Sequence, residues 1–192
     1  MMRKIPSLLA AALLPHAVRA QIDTEALKKQ AGEAGKSAAG QAEEAARGTA
    51  KKAGSAQLEK SINDKLLEEA RKNQCAFKSG SDQFEGNCDD KVQNLFDALV
   101  DAKKKLAGAG VSGFKFEVSG HTDSSGKASA NKELSRKRAA KIVKELVKKG
   151  IPQKEIIAVG KGSTQPLVKP DDTPEKKAKN RRYEIRVRLL AK

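Results

Sequence analysis

Residues 114–139 read FKFEVSGHTDSSGKASANKELSRKRA, and the fold turns on how this stretch is divided. Phe114, Phe116 and Val118 alternate with Lys115 and Glu117, the period of a strand with one buried face. The strand runs out at Gly120, a polar loop carries His121, Thr122 and Asp123, and helical spacing takes over from Leu134. Leu134, Ala139, Ile142, Val143, Leu146 and Val147 form the buried side of that helix, which Gly150 and Pro152 end. On a wheel of about 100° per residue, Asn131, Arg138 and Ile142 fall on one flank of the apolar arc. Lys127, Lys137, Lys141, Lys144 and Lys148 read as a solvated coat. Arg138, beside apolar neighbours, needs a partner, because an unpaired buried charge is costly. Asp123 is the nearest candidate. The two are either a structural pair that pins the loop to the helix or the two charged halves of a binding site.

Working outward, Val92, Leu95, Phe96, Leu99 and Val100 have the i, i+3, i+4, i+7, i+8 spacing of an amphipathic helix over Asp89 to Leu106. Before it, Cys75, Ala76 and Phe77 form a short apolar run bounded by Ser79 and Gly80, read as a first strand. Leu58, Ile62, Leu66 and Ala70 recur every four residues and predict a lead-in helix over residues 58–72. Downstream, Ile156 to Val159 predict a strand, residues 160–180 a long loop rich in Gly, Pro, Lys and Asp, and Tyr183, Ile185, Val187 and Leu189 a last strand. The order β-α-β-α-β-β predicts an α/β chain of the two-layer α+β kind, a mixed sheet with helices on one face. With 3% aromatic residues and no Trp, its core must be aliphatic.

The first twenty residues combine Arg3 and Lys4, an apolar run from Ile5 to Leu14, and Val18-Arg19-Ala20 before Gln21. That pattern predicts a secretory signal over residues 1–20, cleaved after Ala20. The apolar run is too short for about 30 Å of hydrocarbon. Residues 21–57 are Ala, Gly, Lys and Glu with an eleven-residue spacing (Ala31, Ala42, Ala53; Ala34, Ala45, Ala56), a helical period built from methyl groups and interrupted by glycines. They predict a fluctuating helical or disordered spacer. The expected organisation is therefore a leader at 1–20, a spacer at 21–57, a lead-in helix at 58–72 and a domain at 73–192.

Cleavage would remove Arg3, Lys4 and Arg19 from a formal charge of +15, so the exported chain stays strongly basic. Export directs that basicity away from nucleic acid and towards envelope polyanions. In an exported chain Cys75 and Cys88, the only cysteines, point to a disulfide, with two buried thiols as the alternative. A catalytic reading would take Ser119 or Ser124, His121 and Asp123 as a triad, but adjacent residues of one loop do not generally reach triad geometry. One histidine and one aspartate beside oxidised cysteines do not make a zinc site. The chain is expected to be no enzyme and to carry no metal or cofactor, with His121 packing at the strand end.

Gly120-His121-Thr122-Asp123, Asn131, Leu134-Ser135-Arg136-Lys137-Arg138-Ala139, Gly150-Ile151, Gly160-Lys161-Gly162, Pro166 and Asn180-Arg181-Arg182-Tyr183-Glu184-Ile185 form a series. In identity, order and spacing it resembles the OmpA-like peptidoglycan-binding domain, shared by the C-terminal part of outer membrane protein A, peptidoglycan-associated lipoproteins and flagellar stator subunits. The resemblance covers about residues 73–190. It implies noncovalent binding of the wall's stem peptide at meso-diaminopimelate, with Asp123 receiving the ammonium and Arg138 the carboxylate. Asn131 and Thr122 would add hydrogen bonds, and Arg181 would be either structural or at the site edge. The implied place is the periplasm, against the cell wall and in reach of outer-membrane components. The lipid anchor and barrel of some relatives are not read in this sequence, and the cysteine pair is not general to the family. A second expectation is a periplasmic scaffold protein whose Ala-rich arm self-associates or binds a partner while the domain localises it to the wall.

Overall fold

A computed structural model of the protein describes residues 53–190. The chain divides into units Met1–Thr49 and Ala50–Lys192, and the described residues all lie in the second. The expected leader and the spacer up to residue 52 lie outside the described residues.

In chain order the elements are α1 (residues 53–72), α2 (Asp89–Gly108), β1 (Phe114–His121), α3 (Ala128–Lys149), a 3-10 turn at Gln153–Glu155, β2 (Ile156–Gly162), α4 (Pro174–Asn180) and β3 (Tyr183–Leu189). The lead-in helix expected from residue 58 is already helical at residue 53. Helix α4 lies inside the segment expected to be loop. Its start has a local cause: Thr173 Oγ1 accepts from the Lys176 N–H at 3.3 Å, and Pro174 fills a first-turn position where no N–H is needed. Among the described residues no helix is long and apolar enough to cross a membrane.

The sheet has three strands in the order β2-β1-β3. Strand β1 is central, parallel to β2 through the α3 crossover and antiparallel to β3, with Val118 opposite Ala158 on one side and Ile185 on the other. One face is apolar. Phe116, Val118, Ile156, Ile185 and Val187 meet Leu95, Leu99 and Leu106 of α2, Ala139, Ile142 and Leu146 of α3, and Ile62 and Leu66 of α1 in one core. The expected two-layer arrangement is observed.

The first strand expected at Cys75–Phe77 does not form. The Cys75–Cys88 disulfide does, with Cα atoms 5.8 Å apart, and the segment it closes folds on itself. Lys78 N–H donates to Gln83 O at 2.9 Å and Glu85 N–H to Ala76 O at 2.9 Å, around a single bridge between Phe77 and Phe84. Backbone groups used inside this small loop cannot pair with a neighbouring strand, and three apolar residues were too short a run to tell the two cases apart.

The free edge of β3 is closed by side chains of α1 and the residues after it. Asn63 donates to Val187 O at 3.1 Å and accepts from Val187 N–H at 2.7 Å; Gln74 donates to Tyr183 O at 2.9 Å and accepts from Tyr183 N–H at 3.1 Å. Each carboxamide supplies the donor and acceptor that a neighbouring strand would have supplied.

Helix α3 lies very close to the sheet. A Cβ at Gly120 would stand 2.1 Å from Ser135 O, and one at Gly160 would stand 2.3 Å from Lys132 O. Both obstacles are helix backbone, so they cannot swing aside. Gly120→Ala and Gly160→Ala are each expected to destabilise the domain by about 1–3 kcal/mol or more in denaturant titrations. Gly108→Ala, where nothing lies within 4 Å, is the control and should be neutral to slightly stabilising.

Candidate functional site

The carboxyl end of β1, the loop after it, α3, the disulfide-closed loop and the end of α4 border one cleft of about 790 Å³. Its lining includes Thr122, Asp123, Asn131 and Arg138, the four residues expected to bind, together with His121 and Arg181, which were expected to be structural or at the site edge.

The Asp123 loop is fixed from three sides. Thr122 N–H donates to Gly162 O at 3.0 Å, tying the loop to the end of β2. Asn131, buried on the first turn of α3, donates to Ser125 O at 2.8 Å and Asp123 O at 3.4 Å. Its amide donors thus hold the loop, a positioning role for a residue expected to meet ligand. From the far side, Asp171 accepts from Ser124 N–H at 2.8 Å and Ser124 Oγ at 2.5 Å, and Asn180, fully buried, donates to the same carboxylate at 3.1 Å. Hydrogen bonds from the Ser124 hydroxyl, Asn180 and the Ser124 N–H bring the Asp171 pKa down to about 2. Neither Asp171 nor the hub role of Asn180 was foreseen; the only signal was the Asn180 match in the motif series.

Asp123 itself accepts from Ser125 N–H at 3.0 Å and forms an ion pair with Arg181, Nη1 to Oδ2, at 2.8 Å. Burial would raise its pKa, but the Arg181 and Ser125 hydrogen bonds outweigh it and hold the carboxyl below its ordinary value. The in-chain partner of Asp123 is therefore Arg181, where the sequence suggested Arg138.

Arg138 is held by the disulfide-closed loop. Its Nε donates to Ser81 O at 2.9 Å and its Nη2 to Lys78 O at 3.2 Å, and the guanidinium carbon sits 5.1 Å from the centre of the Phe77 ring. Burial first, and then the Arg181 guanidinium, lower its pKa from the ordinary arginine value. Two neutral carbonyls and a ring face fix the side chain without cancelling its charge, and Nη1 makes no hydrogen bond among the described residues. Between them, Asp123 and Arg138 offer the cleft one anion and one oriented cation.

The catalytic alternative finds no support in this geometry. Ser119 Oγ donates to Glu117 at 2.8 Å, Ser124 Oγ donates to Asp171, and neither His121 nitrogen has a hydrogen-bond partner. Among the described residues, neither serine is hydrogen-bonded to His121, so the expected triad is not assembled. His121 is buried beside the Arg182–Glu184 pair, in which Arg182 Nη2 and Nε approach Glu184 Oε1 at 2.7 and 2.9 Å. Thr122 is also buried, with its hydroxyl unpartnered at the cleft wall.

The sequence model of the OmpA family matches residues 76–181. Outer membrane porin F of Pseudomonas fluorescens is 42% identical over 75 residues, covering 39% of this chain and 23% of that protein. Outer membrane protein A of Bordetella avium is 43% identical over 68 residues, 35% of this chain and 34% of that protein. The peptidoglycan-binding protein ArfA of Mycobacterium bovis is 41% identical over 68 residues, 35% and 21% respectively. The matched segments thus span no more than 34% of the length of these relatives. Among solved structures, the peptidoglycan-associated lipoprotein from Burkholderia pseudomallei superposes with a TM-score of 0.50 at 20% identity, covering 62% of this chain and 93% of that one. The periplasmic domain of Helicobacter pylori MotB gives 0.51 at 24% identity, covering 62% and 70%. These two share the fold.

The burial of His121 has a measurable result. Burial, followed by the Arg182 guanidinium, pushes its pKa down to about 4; Glu184 opposes the shift, and Lys161 and Arg186 add to it. A depressed native pKa means that the unfolded chain binds more protons between about pH 6.5 and 4. The His121 contribution to stability is therefore complete above about pH 6.5 and is lost as pH falls through that window. Proton NMR should find the ring neutral down to about pH 4; a midpoint near 6.5 would show that the ring is hydrated.

Proposed function

The chain belongs to the OmpA family, and on that premise we propose that its 73–192 region binds peptidoglycan noncovalently in the periplasm. The ligand group is the free amino-acid end of meso-diaminopimelate in the stem peptide. That end is a zwitterion: one ammonium and one carboxylate on the same carbon. A site for it needs a carboxylate and a planar donor fork, fixed independently of each other.

The observation that carries the reading is that Asp123 and Arg138 line one cleft while being held by different parts of the fold. Asp123 depends on the Ser125 turn and the Asp171–Ser124 link, whereas Arg138 depends on the carbonyls of Ser81 and Lys78. Each retains its charge, and each is accessible from the cleft. In this arrangement the ligand ammonium meets Asp123 Oδ2 and the carboxylate meets the open Nη1 edge of Arg138. A lysine-type stem lacks the second carboxylate and leaves Arg138 unanswered. The function is non-catalytic retention at the wall, which tethers or stabilises the envelope.

Co-sedimentation of the protein with purified sacculi tests the reading. Asp123→Ala and Arg138→Ala are each expected to weaken binding by about 2–5 kcal/mol, the loss of one partner of a desolvated charged contact, with circular dichroism unchanged. If both variants pellet like the parent and only high salt releases them, the lysine coat is what holds the wall and the cleft is not the site.

A further inference from the structure

Three consecutive residues at the end of α4 have three different circumstances. Asn180 is fully buried and holds the loop through Leu167 N–H, Val168 N–H and Asp171. Arg182 has a side chain only 9% exposed and is locked onto Glu184. Arg181 lies between them with a side chain 45% exposed, and among the described residues that side chain's one hydrogen bond is to Asp123. A long side chain held by one N–H and open to water along much of its length is easily displaced. Arg138, by contrast, is held by two carbonyls and a ring face.

The ligand reading requires an ammonium on Asp123, and in the free protein Arg181 is already there. We infer that Arg181 is a specificity-determining residue, a resident cation that an incoming ligand must exchange. The inference rests on the reading of the cleft as a diaminopimelate site and adds a selection rule to it. When a zwitterion enters, its ammonium takes over Asp123 and its carboxylate arrives in the same step. The released Arg181 and the fixed Arg138 then share a new anion, and the charge within the cleft is unchanged. When a lone amine enters, one cation replaces another on Asp123, and Arg181 is released next to Arg138 with no anion to meet it. The two guanidiniums already repel each other in the free protein. Arg181 therefore penalises a lysine-type side chain more than a diaminopimelate one, in addition to the carboxylate that lysine fails to bring.

The competing explanation is that Arg181 only pins the end of α4 to the Asp123 loop. The two explanations give opposite results for one ligand. Calorimetric titrations would use the full chain and two soluble probes, L-Ala-D-Glu-meso-diaminopimelate and L-Ala-D-Glu-L-Lys. Arg181→Ala should bind the lysine probe about three- to tenfold tighter than the parent does, the scale of one removed competing ion pair, and should narrow the preference for the diaminopimelate probe. A pin would give the reverse: both probes would bind the variant more weakly, or the lysine probe would bind no tighter, and either result overturns the inference. Arg181→Gln, which removes the charge and keeps a donor, should reproduce the gain and serves if the alanine variant melts early. If the parent binds neither probe, or if Asp123→Ala leaves diaminopimelate binding intact, the ligand reading itself fails and the exchange fails with it. If the parent binds the diaminopimelate probe through Asp123 and the lysine probe gains nothing in either Arg181 variant, the site stands and only the exchange is lost.

Discussion

Helix α3 rests on the sheet backbone to backbone, with glycines at 120 and 160 where any side chain would strike the helix carbonyls of Ser135 and Lys132. That contact fixes the height and the rotation of the helix together. Asn131, Ser135 and Arg138 share one narrow stripe of α3, so a single rotational setting places all three. Ser135 Oγ accepts from Gly162 N–H at 2.9 Å at the contact itself, Asn131 reaches the Asp123 loop on one side, and Arg138 reaches the disulfide-closed loop on the other. A helix lifted by the width of a methyl group would lose both placements. The cleft is in this sense a by-product of tight helix-on-sheet packing.

The charges around the cleft divide by how they are held. Arg182 and Glu184 cancel each other in near burial and form part of the framework. Arg138 is fixed by uncharged acceptors and keeps its charge for use. Arg181 and Asp123 are paired, but through one exposed arm and one recessed carboxylate, so the bond can open without disturbing anything beneath it. Burial of opposite charges commonly gives stability at best near zero, since desolvation offsets attraction. Here the useful property of the Arg181–Asp123 pair is that its partners can separate.

Much of this was legible in the sequence. The alternation from Phe114 to Val118, the heptad-like spacing of Val92 to Val100 and the alternation from Tyr183 to Leu189 each depend on local periodicity, and each element was found where it was read. The stripe argument set Arg138 apart from Lys137, Lys144 and Lys148, which are exposed, but not from Lys141, which is partly buried over the Phe84 ring and paired with Glu145. What failed depends on contacts distant in sequence. Arg181 and Arg182 are the same residue type side by side, and only the fold makes one a buried fixture and the other a solvent-facing arm. Asp171 meets Ser124 across 47 positions, and Asn63 meets Val187 across 124. Neither pairing leaves a periodic trace, and polar residues on a helix such as Asn63 look like solvated surface. The run Cys75 to Phe77 carried the composition of a strand, but the disulfide and the turns after it enclosed its backbone in a loop of its own.

The covalent link between Cys75 and Cys88 has a mechanical meaning as well as a thermodynamic one. Helix α1 and the residues just after it join the domain through Ile62, Leu66 and Ala70 in the core and through Asn63 and Gln74 on the β3 edge. Tension applied from the N-terminal side would therefore have to peel α1 from the sheet before reaching Cys75. At that point the disulfide passes the load across to Cys88 and into α2. The twelve residues between lie on the slack side of the cross-link, and among them are Lys78 and Ser81, whose carbonyls hold Arg138. The bridge is a strain relief: a pull on the chain is routed around the wall of the cleft, and the grip on Arg138 is spared until the fold itself gives way.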